Sequence, residues 1–424
     1  MPMTQSFKDR LFHRLPEIIE SFGTPFHIYD LEGILETGQA MKQAFKKTPY
    51  RNYFAVKALP NPWILQALYK QLNFGFDCSS IPELALSRGI GAVGDDIMFT
   101  SNNTSEEEFL AAKHSGGCLL NLDDISLISE VPGHFPKTIC FRINPGKSRT
   151  GNSIIGTPFN SKYGITLKQV VPAYRQAMER GAKYFGMHTM VCSNSLKPSY
   201  MVETVSMLLK LCRVLKKELG IEIEFINMGG GFGIPYKPGQ KPLNLQWMAS
   251  RIIKLLEKFE LDNGWRPKLL SECGRYVTGP HGVLVSKVIN EKRIYKRYLG
   301  VDTGMPALMR PAIYGVYHHV DILDQNGEPL KGPLEKMSVV GSICENCDRL
   351  ATDRWLPGNA KKGDIVVTHD TGAHGIAMGF NYNGRFRPQE LLMLPGGKIV
   401  RIRYEETMED LFWNIIRPRG FVEG

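Results

Sequence analysis

No apolar run in this chain of 424 residues approaches the ~18 residues that a membrane-spanning helix needs, so no membrane partner is expected. The stretch Met1 to Arg14 carries charges where a secretory signal would hold an apolar core, and a cytoplasmic location is the expectation. Cysteine is sparse, eight residues in all, which excludes a disulfide framework of the kind found in small secreted domains. Cys78, Cys118, Cys140, Cys192 and Cys212 lie in apolar strand-like or helical contexts and read as reduced, mostly buried thiols. Cys344 and Cys347 do form a Cys-x-x-Cys, but no second pair completes a zinc site, and no metal is expected. Two nucleotide-binding signatures are missing as well. The run Gly229-Gly-Gly-Phe-Gly233 has Ile234 where a dinucleotide fingerprint needs glycine, and it lacks the Gly-Lys-Ser/Thr of a P-loop. A net charge of +10 would suit nucleic acid if it were concentrated. It is scattered, and its densest cluster, Lys287 to Arg297, contains Glu291 and reads as a surface strand with its turn. No nucleic-acid partner is expected; the basic surface favours anionic small molecules.

What the chain does have is the composition of an ordinary globular protein, 43% hydrophobic and 22% charged, with length for two domains. Between residues 50 and 272, eight short apolar runs alternate with segments of helical period. They are Tyr53–Val56, Phe74–Cys78, Ile97–Thr100, Cys118–Leu122, Thr138–Ile143, Tyr184–His188, Glu222–Asn227 and Lys268–Glu272. The first five begin about 21–22 residues apart, close to the minimum for strand, turn and returning helix. Thr104-Ser-Glu-Glu-Glu opens one helix with a capping residue and early acids, and Ser199 to Leu219 places apolar residues on one face before Gly220 closes it. This alternation predicts a (β/α)8 barrel, with an open doubly wound sheet as runner-up. After Gly282 the texture changes to short β-type runs, Val283–Ile289, Leu299–Asp302, Val316–Leu323, Lys336–Gly341, Asp364–His369 and Lys398–Tyr404, separated by Gly, Pro and Asn turns. The expectation is a barrel over residues 31–281 and a C-terminal antiparallel β domain over 282–424, joined by an N-terminal segment, 1–30. The strand-like Thr24–Tyr29 in that segment is a candidate to pair into the β domain.

In such barrels chemistry gathers at the C-terminal ends of the strands. Here those ends carry Lys57, Asp77, Asn102, Asp123, Arg142 with Asn144, His188, Gly229 to Gly233, and Glu272 with Arg275. Lys57 is either a solvated charge at a sheet edge or an amine held ready for a carbonyl cofactor. The glycines are either a tight turn or a phosphate cradle. Taken together, a lysine, a cradle, a histidine ending the sixth strand and a carboxylate ending the eighth form one coherent set for pyridoxal phosphate. Lys57 would hold its aldehyde, the glycines its phosphate, Glu272 its ring nitrogen, and His188 would stack on the ring.

These residues carry a resemblance. The chain resembles the fold-type III, barrel-type pyridoxal-phosphate decarboxylases with an alanine racemase-like fold, and among them the diaminopimelate decarboxylases. The matching stretches are Tyr53-Phe-Ala-Val-Lys-Ala58, Phe76-Asp-Cys-Ser-Ser80 with Glu83, Asn227 to Gly233, Glu272-Cys-Gly-Arg275, Met309 to His318, Cys344-Glu345 with Asp348, and Asn381-Tyr-Asn383. The resemblance implies decarboxylation of meso-2,6-diaminopimelate to L-lysine, the last step of lysine biosynthesis. It assigns Lys57, Asp77, His188, Gly230, Gly231, Phe232, Gly233, Glu272 and His374 to the cofactor, and Arg275, Arg310, Tyr314 and Glu345 to the substrate. Cys344 would donate the proton, with Lys57 and His188 the other catalytic residues, and Cys344 and Glu345 would cross a homodimer interface.

Several positions depart from the family pattern: Cys273 stands where proline is usual, Thr189-Met-Val-Cys-Ser193 where Ile-Gly-Ser is, and His374 where tyrosine is. They fall around cofactor and substrate. Decarboxylation of ornithine, lysine, arginine or a carboxylated polyamine therefore stands as an alternative, as does racemisation on the same fold, and, from another class, a non-catalytic cofactor-binding regulatory module.

Overall fold

The computed structural model describes residues 2–114, 116–151 and 156–418. They divide into two compact units, one built from Leu31–His281 and the other from Met3–Asp30 with the chain from Gly282 onward.

In the first unit the parallel strands Tyr50–Ala55, Gly75–Cys78, Gly94–Phe99, Cys118–Leu122, Thr138–Asn144, Tyr184–His188, Ile223–Asn227 and Lys268–Ser271 pair in order. The last pairs back onto the first, Leu269 opposite Tyr50, which closes a barrel and rules out the open sheet. Closure leaves no edge of unpaired backbone groups. Inside it, Tyr53, Met98, Leu119, Cys140, Phe225 and Leu270 meet, one from each of six strands. Gly186 on the sixth strand makes room for them: a Cβ there would sit 2.1 Å from the Phe225 ring.

The outer helices form where the sequence signals them. Ser105 caps Glu106–Lys113 through a reciprocal capping box with Glu108. Helix Pro198–Leu219 buries Val205, Leu208, Leu209, Cys212 and Leu215, and ends at Gly220 in the left-handed region. Each such aliphatic side chain contributes roughly 1.5–3 kcal/mol by leaving water. Among the described residues no helix is long and apolar enough to cross a membrane.

The second unit is mainly but not wholly antiparallel. Phe26–Asp30 runs antiparallel to Gly282–Arg293 and parallel to Gln389–Met393, and Arg297–Val301 runs parallel to Leu334–Val340. Alternation sorts its side chains. Val283, Val285 and Val367 face the N-terminal helices through Phe7, Leu11, Leu15 and Ile18, while Leu284 and Val366 face a second core with Leu299, Val320 and Val339. The strands Arg349–Pro357 and Gln389–Met393 were not among the runs expected from sequence. The basic cluster at Lys287 to Arg297 is a surface hairpin in which Arg297 meets Glu291 at 2.9 Å and Glu335 at 2.8 Å.

Candidate active site

The first barrel strand stops at Ala55, and Val56–Ala58 tightens into a 3-10 turn before Pro60 and Pro62. Lys57 rises from that turn with its side chain 53% exposed and donates to Asp77 Oδ2 at 3.2 Å. Burial by itself would lower the lysine pKa, but the carboxylates of Asp77, Glu272 and Glu83 reverse this and raise it. Glu83 caps the turn after Asp77 by accepting the Ser79 N–H at 2.7 Å.

Asp77 and Glu272 are both buried, and their surroundings push them apart. Burial and the neighbouring Glu272 raise Asp77, against the pull of Lys57 and His188. Burial also opposes the charge on Glu272, yet His188 beside it, with Lys57 and Arg142, outweighs burial and holds the carboxyl below its usual range. Glu272 is thus a buried carboxyl biased toward its ionised form. Its Oε1 accepts from Asn227 Nδ2 at 2.7 Å, and its Oε2 lies 3.2 Å from His188 Nε2 without the alignment of a hydrogen bond.

The glycine run follows the seventh strand and is locked against the chain after the sixth. The Asn227 carboxamide accepts the Gly229 N–H, Ser195 exchanges backbone hydrogen bonds with Gly231 and Gly233, and Asn194 pairs with Ile234 in both directions. Gly231 has φ +90°, and a Cβ there would stand 2.4 Å from the Cys192 carbonyl oxygen. Only glycine permits that approach. The segment that departs from the family pattern therefore forms the wall on which the turn is built.

Arg275, which opens a short helix after Glu272, donates to Tyr236 Oη at 2.7 Å and Ser193 Oγ at 3.2 Å. Arg142 pairs with Asp123 at 3.1 Å and covers the Tyr163 ring. Three residues at this mouth were not singled out from sequence. Asn52 grips both backbone groups of Cys273, and Thr100 and Asn121 link to His188. Each is a buried polar residue within or directly after a barrel strand, a signal legible in principle because burial of such a group demands a partner.

The remaining predicted residues belong to the second unit. Arg310 is 1% exposed at the start of the helix Arg310–Tyr314, and Tyr314 ends that helix partly exposed. Cys344 and Glu345 are exposed, Cys344 N–H donating to Asn383 Oδ1 at 2.8 Å. The loop holding them is tied down by buried Asp348, which accepts the N–H groups of Met305 and Ile343. His374 is half-buried with φ +57°. Cys344 and Cys347 are free thiols.

The family model for the pyridoxal-binding domain of pyridoxal-dependent decarboxylases matches residues 31–279. The chain belongs to this family. Among relatives of this decarboxylase, Protein TabA of Pseudomonas amygdali pv. tabaci is 44% identical over 97% of this chain and 95% of its own. Diaminopimelate decarboxylase of Methanothermobacter thermautotrophicus is 33% identical over 93% and 92%. The crystal structure of diaminopimelate decarboxylase from M. jannaschii in complex with L-lysine superposes with a TM-score of 0.86 at 30% identity, covering 95% of this chain and 94% of that one. The enzyme is a carboxy-lyase of diaminopimelate decarboxylase type, and its cofactor is pyridoxal phosphate.

The barrel mouth fits that cofactor. Among the described residues, Asp77 Oδ1, Asn121 Oδ1 and His188 Nε2 are buried polar atoms without hydrogen-bond partners, gathered where a polar ring would lie. An amine beside them and an ionised carboxylate behind them complete the donor set for an aldehyde and a protonated ring nitrogen.

Proposed function

We propose that this enzyme decarboxylates meso-2,6-diaminopimelate to L-lysine, with Lys57 as the residue that carries the cofactor. The observation that carries the reading is the buried Glu272 carboxyl sharing one barrel mouth with the amine of Lys57. When bound, pyridoxal phosphate supplies an aldehyde that condenses with amines and a ring that accepts the electron pair left by departing carbon dioxide. Glu272 would hold the proton on the ring nitrogen, because a buried carboxyl lowered below its usual range is an acceptor at physiological pH. His188 stacks on the ring, Asp77 orients the Lys57 amine, the run Gly230 to Gly233 with Phe232 receives the phosphate, and His374 takes the place of the usual tyrosine.

Arg275, Arg310 and Tyr314 bind carboxylate, and Glu345 takes the distal ammonium, since a buried charge without a partner is costly. Cys344 delivers the proton to the carbon that has lost carbon dioxide. In this reading the enzyme is a homodimer, and Cys344 and Glu345 serve the site of the second copy. Relatives named diaminopimelate decarboxylase at 31–33% identity over nearly the whole chain support it. The departures at Met190–Ser193, Cys273 and His374, with a relative of 44% identity that bears another name, support a second reading, in which the substrate is a related basic amino acid or a carboxylated polyamine.

A substrate panel with all diaminopimelate isomers, ornithine, lysine and arginine, scored for carbon dioxide release, decides between them. Meso-diaminopimelate should react fastest, and Lys57→Ala should abolish turnover. Release from another amino acid with none from diaminopimelate removes the first reading. A protein that takes a borohydride-fixed pyridoxyl label on Lys57 yet releases no carbon dioxide from any substrate would instead be a binding module.

A further inference from the structure

The fourth barrel strand brings Asn121 under His188. By strand alternation Asn121 points to the same side as Asp123, whose pairing with Arg142 belongs to the mouth, so its carboxamide is aimed into the barrel. Asn121 Nδ2 lies 3.1 Å from Thr100 Oγ1 and 2.7 Å from His188 Nδ1, and both Asn121 and His188 are buried. In this orientation both amide N–H groups have acceptors, and only Oδ1 is left without a partner. Turned over, the amide would present its oxygen to Thr100 and His188 and strand two N–H groups in the interior. Each stranded group costs on the order of 1–3 kcal/mol, so the first orientation prevails.

An amide N–H facing Nδ1 leaves that nitrogen one role, that of acceptor. The imidazole proton then sits on Nε2, the atom 3.2 Å from the ionised Glu272 carboxylate. We infer that Asn121 is a positioning residue that fixes His188 as the neutral Nε2–H tautomer at the cofactor ring. The groups facing His188 pull in opposite directions. Asp77 and Glu272 stand on the negative side, and Lys57 with Arg142, the strand partner of His188, on the positive side. Protonating Nδ1 would in addition set one N–H against another, and this decides the balance. The consequence for catalysis is electrostatic. A neutral imidazole over the ring leaves the proton on the ring nitrogen undisturbed, while an imidazolium would oppose it.

This rests on the assignment of His188 as the residue that stacks on pyridoxal phosphate. It is tested by 15N NMR of histidine-labelled protein, with and without pyridoxal phosphate, using His188→Gln to identify the signal among ten histidines. In both forms, near neutral pH, His188 should carry its proton on Nε2 alone. Asn121→Asp replaces the donor by a carboxylate, so an imidazolium should appear, with the His188 pKa raised by roughly 1–3 units. In that variant kcat should fall while KM for the substrate holds. A proton on Nδ1 or an imidazolium in the unaltered protein overturns the inference, whether or not the variant folds. So does a His188 tautomer that Asn121→Asp leaves unchanged. A signal that pyridoxal phosphate does not move, with the Nε2 tautomer intact, sinks the stacking role and its catalytic consequence, and leaves decarboxylation to be judged by carbon dioxide release.

Discussion

At the scale of single residues, the site works by separating like groups. Asp77 and Glu272 are both buried carboxylates, yet one is pushed up and the other down, because Glu272 alone has the Asn227 amide and a nearby arginine as well as Lys57 and His188. That division separates their roles, since Glu272 is fixed as an anion while Asp77 responds to the charge on Lys57. Two substitutions test the proposed roles in the second unit. Cys344→Ala should lower kcat by roughly 10²–10⁴-fold with KM little changed, the signature of a lost general acid. Glu345→Gln should raise KM for a diamino substrate by roughly 10–100-fold, the worth of a hydrogen bond to a charged group. Steady-state kinetics on the preferred substrate reads both.

At the scale of elements, the glycine run shows how one loop is set by another. Its conformation is imposed by the carbonyls of the chain after the sixth strand, which press against positions where a side chain would begin. Gly231→Ala should therefore cost about 2–4 kcal/mol in local strain and overpacking. Fluorescence titration should show weakened pyridoxal phosphate binding even where thermal unfolding finds the barrel folded; undiminished affinity would show that the loop yields. In the second unit, Asp370 is buried, accepts the Met3 N–H at 2.8 Å, and is pushed up to about 7 by burial against the opposing pull of that N–H and Arg310. The folded state keeps its proton between the unfolded pKa of about 4 and the folded one, so stability is full below that window and falls as pH rises through it. The ceiling of this effect is about 4 kcal/mol. Asp370→Asn, which tolerates the left-handed backbone at φ +58°, should flatten the decline in a series of thermal melts from acidic to neutral pH.

At the scale of the whole molecule, the proposed dimer makes a prediction that no single chain can meet. Lys57→Ala and Cys344→Ala subunits, each inactive alone, should regain activity when unfolded and refolded together. About a quarter of the sites would then draw both intact residues from different chains. Light scattering on the unmixed protein should give twice the mass of one chain. A monomer, or mixing without recovery, removes the shared site.

The barrel was written in the sequence because its signals are local. Eight apolar runs, the first five at near-regular spacing, helix caps at Ser105 and Gly220, and prolines after Lys57 depend on backbone sterics and on one buried face, and the eight barrel strands and the two signalled helices formed within a few residues of where those signals stood. Lys57, His188 and Glu272 were legible for the same reason, as polar residues ending apolar strands. The parallel pairing of Phe26–Asp30 with Gln389–Met393 was not, since partners from opposite ends of the chain leave no local mark of their direction. Nor were Asn52, Thr100 and Asn121, polar residues within or directly after barrel strands, whose roles exist only once closure of the barrel places an acceptor or donor opposite each. Local sequence signals thus fixed the barrel strands and the chemical groups at their ends. Folding in three dimensions set which groups share a hydrogen bond and, through burial and neighbouring charge, which of two buried carboxyls is raised and which lowered.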